Sequence, residues 1–222
     1  MTIRFVCLAN SIKEGGRCLA GIQLNNNNEP IIGKNGPIWI RPICKTQHGK
    51  VYTHWVSHIT LLDIVEIEFT GFAEKTSYQS ENVFFKDDDL KVIGRFEKHK
   101  LDELCDNHYY LFGNWGKALS IEEAVVLDHS LVLIHVSKFE IIEKNDMDNP
   151  DKKKIRLFFY HNETQYDFPV TDPVFLNLYR NNPRILNVVK SLFLCVSIGI
   201  NFNGLHYKLV AGIIPASLNS NY

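Results

Sequence analysis

The C-terminal third of this chain carries the clearest pattern, short apolar runs rich in β-branched and aromatic residues set between polar turn signals. Residues 131–142 are rich in Val, Ile, Leu and Phe and predict one strand. The polar stretch EKNDMDNPDKKK (143–154) follows, with Asn149-Pro150 as a turn signal. Residues 155–160 and 165–170 predict two further strands, close enough across HNET to form a hairpin. Asp172 before Pro173 marks a helix start: the carboxylate can accept a free backbone N–H, and proline suits the first helical position. A short helix over 173–180 is therefore expected. Residues 192–200 and 205–214 predict the last two strands, joined through Asn203-Gly204, a pair that readily takes positive φ.

The N-terminal part repeats this order more faintly. Ile3 to Ala9, Cys18 to Leu24 and Ile38 to Ile43 predict three strands, separated by the turn-forming stretches SIKEGG and NNNNEPIIGKNGP. Residues 51–59 read as a short helix or an irregular connection. Leu62 to Phe69 alternates, with Ile64, Glu66 and Glu68 opposite Asp63, Val65, Ile67 and Phe69. A fifth strand is expected near 82–85. KLDELCDN (100–107) and SIEEAVVL (120–127) read as helical, the second with the Ser120-to-Glu123 spacing of a capping box. Three strands, a helix and two strands is the order of an oligonucleotide/oligosaccharide-binding (OB) barrel, whose closure hides sheet edges. The expectation is an all-β chain with a few short helices, built as two tandem OB-fold-like five-stranded barrels. The boundaries read as a first barrel over 1–95, a packed helical connector over 96–128 and a second barrel over 129–222.

Composition narrows the class without naming a function. The chain has 222 residues, 45% hydrophobic and 22% charged, as in ordinary globular domains. No apolar run reaches the about 20 residues that span a bilayer, and the N-terminal apolar stretch is too short for a secretory signal. The five cysteines (Cys7, Cys18, Cys44, Cys105, Cys195) are odd in number and scattered, which fits a reducing compartment. A cytoplasmic protein with no membrane partner is expected. Charge is segregated: seven Lys/Arg against two Asp/Glu over 1–62, nine against nineteen over 63–150, and eight against four over 151–222. Basic ends draw polyanions, although like charges also collect in solvated loops.

Candidate chemistry points to binding. In GPIWIRPI, alternation sets Trp39 and Arg41 on one face and Ile38 and Ile40 on the other. A ring beside a guanidinium can stack on bases and pair with phosphate, and Arg17 after the Gly15-Gly16 turn would start the neighbouring strand. The alternative is that Trp39 packs against the second half while Arg41 pairs with a carboxylate there. In the second half Lys152, Lys153 and Lys154 lead into Arg156, Phe158 and Tyr160, which share a strand face. Charge for a backbone and rings for bases suit single-stranded nucleic acid; a solvated lysine loop over core aromatics is the competing reading. Cys44, His48, His54 and His58 lie close in sequence but match no common zinc spacing. Glu122-Glu123 and Asp87-Asp88-Asp89 read as solvated carboxylates. No phosphate loop, dinucleotide fingerprint, nucleophile elbow or zinc-protease motif occurs, so no cofactor, metal or catalytic residue is expected.

CLANSIKEGGRCLAG (7–21), WIRPI (39–43), LLDIVEIEF (61–69), VTDP (170–173) and GINFNGLHYKLVAGII (199–214) resemble the dual OB-fold domain family of prokaryotic proteins. The resemblance runs from Cys7 to Ile214. It implies two tandem OB barrels and a nucleic-acid-binding role, including an accessory place in mobile-element defence; it carries over no binding residue. The leading expectation is a nucleic-acid-binding module for single-stranded DNA or RNA, or a hybrid, without catalysis. Two others stand beside it: a protein–protein adaptor using the acidic middle, and a nucleotide sensor or enzyme using a cleft between the barrels. The oligomeric state is not readable from the chain.

Overall fold

The computed structural model describes residues 1–73, 78–145 and 153–218. Two compact units emerge, Met1–Leu104 with Ala124–Leu131, and Cys105–Glu123 with Val132–Tyr222.

The first unit begins with the hairpin β1 (Thr2–Lys13) and β2 (Gly16–Leu24), turned at Glu14-Gly15, both at positive φ. A two-residue turn of that kind matches the twist of the strands it joins. A small hairpin, β3 (Ile32–Gly33) and β4 (Gly36–Pro37), precedes β5 (Trp39–Ile43). The short α1 (Thr53–Val56) leads to β6 (Asp63–Phe72) and β7 (Asn82–Arg95). These strands close in the order β1-β2-β5-β7-β6, with β5 and β7 parallel over Arg41–Ile43 and Asn82–Phe84. Phe5, Cys7, Leu19, Ile40, Val65, Ile67, Val83 and Phe85 fill the interior. β1 and β2 approach so closely that a Cβ at Gly21 would lie 1.7 Å from the Val6 carbonyl oxygen. Glycine is required there because no larger residue fits without parting the strands.

The fifth strand is far longer than the expected 82–85. β7 runs through the acidic stretch Asp87–Asp89, where Asp88 takes φ 60° and the register with β6 shifts between Ile67 and Phe69. A bulge carries the acids outward while Leu90 returns to the core opposite Ile67. The polar run hid the strand because it occupies that bulge.

In the second unit, the edge strand β8 (Ala118–Ser120) comes first, then α2 (Ile121–Val125), which continues into the first unit. The capping box forms as its spacing implies: Ser120 N–H donates to the Glu123 carboxylate at 2.8 Å, and Glu123 N–H donates to Ser120 Oγ at 3.1 Å. Residues 100–107, expected as helical, instead hold the end of a tight 3-10 turn over Lys98–Leu104. The strand expected over 131–142 is two strands, β9 (Leu131–Val136) and β10 (Phe139–Asn145). It breaks at Ser137-Lys138 because its halves serve different sheets. β9 lies beside β13 (Val189–Phe202), and β10 pairs with β11 (Lys153–His161).

β11 turns through Asn162-Glu163 into β12 (Thr164–Pro169), and α3 (Pro173–Asn181) follows. Asp172 caps α3, accepting from Val174 N–H at 3.0 Å and Phe175 N–H at 3.1 Å. β13 and β14 (Leu205–Leu218) form a hairpin through Asn203-Gly204, both at positive φ. The sheets are ordered β10-β11-β12 and β8-β14-β13-β9. A parallel bridge, Val170 to Val210, joins them, with Thr171 N–H donating to the Val210 carbonyl at 2.9 Å. The described chain is thus mostly β: one closed five-stranded barrel and one half-barrel of the same strand order, two OB-like barrels. Among the described residues, no helix is long and apolar enough to cross a membrane.

Candidate nucleic-acid interface

The alternation read in WIRPI is present, but the face it defines is covered. Ile40 enters the barrel interior, and Trp39 and Arg41 project to the other side. On that side Val6, Ala20 and Ile22 are fully buried, Trp39 opposite Ile22 is half-buried, and Arg41 is 1% exposed. The Arg41 guanidinium donates to Ser130 Oγ at 2.8 Å and pairs with Glu81 at 3.1 Å, while Ser130 Oγ itself donates to Glu81. Parallel pairing of β5 with β7 sets this up, since Arg41 N–H also donates to the Glu81 carbonyl at 2.9 Å. A guanidinium so enclosed does not face a phosphate arriving from solvent, which corrects the surface expectation for Arg41. Its carboxylate partner lies in its own unit.

Arg17 is not brought to Trp39. It sits five positions before Ile22 on β2, so alternation places it on the opposite face. Its backbone pairs with Val51, and its guanidinium reaches the Asn10 carbonyl at 3.4 Å.

The second unit keeps its candidate face open. Along β11, Ile155, Leu157 and Phe159 are buried, whereas Arg156 and Phe158 are half-buried and Tyr160 is exposed. The aromatics therefore divide by parity. Phe159, Tyr166 and Phe168 pack together inside, and Phe158 and Tyr160 meet edge to face outside, with centroids 6.1 Å apart. Lys154 lies on the outward face with them. Lys153 pairs with Glu143 at 2.8 Å, and Lys152 lies outside the described residues.

Three participants were not among the residues picked out from the sequence. Asp167, opposite Phe158 on β12, accepts from Arg156 Nε at 2.5 Å, Lys144 Nζ at 2.7 Å and Lys117 Nζ at 3.1 Å. Arg156 Nη2 also donates to the Asp167 carbonyl at 2.7 Å. Burial would push the Asp167 carboxyl up, but the hydrogen bonds from Lys144, Arg156 and Lys117 hold it well below the usual carboxylate range. Asp167 was readable in principle, because a two-residue turn fixes the register of β11 and β12. Lys117 comes from a segment remote in sequence and had no local signal.

Behind this face lies another cation. Lys208 is fully buried and donates to the Leu111 carbonyl at 2.8 Å, the Asn114 carbonyl at 2.8 Å and Asn114 Oδ1 at 2.6 Å. Burial pushes its ammonium down to about 7, against the pull of Glu123. Among the described residues, no three His, Cys, Asp or Glu side chains gather to hold a metal. Burial pushes the Cys44 thiol up to about 11, aided by Asp87, and the His54 ring lies tilted against Tyr52 and edge-on to Trp55.

No curated protein matches the chain. Among solved structures, a murine DNA-binding protein bound to double-stranded DNA is similar, with a TM-score of 0.37 and 7% identity over 100% of this chain and 98% of that one. A replication protein A heterotrimer bound to single-stranded DNA gives a TM-score of 0.36 and 10% identity, over 100% of this chain and 49% of that one. The profile of the dual OB-containing domain matches residues 3–213, nearly the whole length, and the chain belongs to that family.

Proposed function

We propose that the protein is a binding module for single-stranded DNA or RNA, and that the strand lies on the outward face of the β10-β11-β12 sheet. The observation that carries this reading is the segregation along β11, which buries every second residue and leaves Arg156, Phe158 and Tyr160 outward beside Lys144 and Lys117. Phosphates need cations that water can reach, and the Lys117 and Lys144 side chains are 62% and 48% exposed. Bases stack on open rings, each stack being worth about 1–3 kcal/mol. Paired bases in a duplex are already stacked and offer less to such rings. The Arg41 network in the first unit supplies rigidity in this reading and no ligand contact.

Fluorescence anisotropy with a labelled oligonucleotide, single-stranded and then annealed to its complement, tests the proposal across a salt series. The single strand should bind more tightly, and affinity should fall linearly in log–log form as salt rises. Absence of binding at low salt, or a preference for the duplex, would overturn it.

A further inference from the structure

Three cations from three separate elements converge on one carboxylate in the middle of the proposed interface. Lys117 precedes β8, Lys144 ends β10 and Arg156 lies on β11, all within 3.1 Å of Asp167. Asp167 is 8% exposed, seated in the sheet, whereas both lysines are largely open to solvent. The three contacts differ in kind. Arg156 gives Asp167 two hydrogen bonds, one to the carboxylate and one to the carbonyl, and its own side chain is mostly covered. The lysines each give one, from flexible stems whose ammonium groups can turn to another oxygen. A carboxylate and a phosphate ask the same of these donors, a charged oxygen at hydrogen-bond distance.

We propose that Asp167 is an internal competitor for phosphate: it engages the Lys117–Lys144 pair and holds polyanion affinity low, and a bound phosphate draws those two ammonium groups away. Arg156 stays with Asp167 throughout and anchors it. This inference rests on the reading of the face as a nucleic-acid surface and adds how its affinity is set. Moving a lysine from Asp167 to a phosphate is an exchange of one ion pair for another, so the net gain per lysine is small. Without the carboxylate charge the full gain would be realised.

The experiment compares the natural protein, Asp167→Asn and Lys144→Gln in anisotropy titrations with one labelled single strand across a salt series. Thermal melts and circular dichroism establish that each is folded. Asp167→Asn should bind roughly fivefold more tightly, the scale of one unit charge about 4 Å away in water. Its log–log salt slope should steepen by about 0.7, as for one more neutralised phosphate on a single strand. Equal or weaker binding by folded Asp167→Asn overturns the inference. That variant leaves three cations without their anion and could fail to fold, so Lys144→Gln supplies an independent reading. Because the lysines move to phosphate while Arg156 stays with Asp167, Lys144→Gln should bind more weakly with a slope shallower by about 0.7, and an unchanged slope would overturn the inference. If the folded natural protein and folded Asp167→Asn both ignore the oligonucleotide at low salt, the nucleic-acid reading falls and the competitor with it. Binding by the natural protein with no gain in Asp167→Asn removes the competitor alone.

Discussion

Each unit sets an arginine against a carboxylate on a neighbouring chain segment, and the two pairs have opposite surroundings. Arg41 and Glu81 are 2% and 3% exposed at their side chains, closed over by Ser130. Arg156 and Asp167 lie at a face that Lys117 and Lys144 reach from solvent. An enclosed pair pays heavily in lost hydration and returns a fixed geometry. The second pair is also largely covered, at 17% and 10%, but exposed lysines share its carboxylate and carry charge that a ligand can reach. The same two chemical groups therefore hold a barrel seam in one unit and organise a candidate binding face in the other. A second contrast concerns buried cations. Arg41 is met by a carboxylate, whereas three neutral oxygens bind Lys208, and burial pushes that ammonium down to about 7.

The largest expected effect breaks the enclosed pair. Arg41→Ala leaves Glu81 buried without its cation and should cost about 3–5 kcal/mol in urea unfolding. Oligonucleotide affinity of the folded fraction should not change. A loss below 1 kcal/mol, or lost affinity in well-folded protein, would remove the division of labour between the two arginines. Next comes the ring pair. Phe158→Ala with Tyr160→Ala should weaken single-strand binding by about 1–3 kcal/mol per lost stack, while Trp39→Ala leaves it within twofold. Anisotropy titrations of the two variants decide this, and a larger effect at Trp39 would move the interface to the first unit.

The smallest effect per unit of change is the pH dependence from Lys208. In the unfolded chain lysine keeps its proton up to about 10.4, whereas folded Lys208 releases it near 7. Between those values the unfolded state binds more protons, so stability should rise as pH climbs from 7 toward 10. The slope cannot exceed about 1.4 kcal/mol per pH unit for one group. Below pH 7 Lys208 is charged in both states and its contribution is flat. Urea midpoints of the natural protein and Lys208→Met across this range should differ in slope with that sign, and parallel curves would show that the three oxygens keep Lys208 protonated.

Much of the second unit was legible because its local signals agree. Asp172-Pro173 starts a helix and Asn203-Gly204 turns a hairpin where those residues predict them. Arg156, Phe158 and Tyr160 share the outward face that period two assigns them. Reading failed where one run of sequence served two neighbours. Residues 131–142 look continuous because both pieces are strand, and only the two sheets reveal the break at Ser137-Lys138. Asp87–Asp89 looks like a loop because a bulge exposes it.

The sequence by itself determined the strand periods, the turn residues, the helix caps and the parity that separates outward from inward aromatics, because each depends on residues within a few positions of one another. The tertiary structure alone decided which of two equally patterned strand faces is covered, and which distant charges meet. Parity places Trp39 and Arg41 together as surely as it places Arg156 and Tyr160. Whether water or protein lies above that face depends on strand closure and on segments as far away as Ser130 and Lys117. For a charged side chain that difference in surroundings outweighs any local preference, since solvation of the charge is its largest energy term.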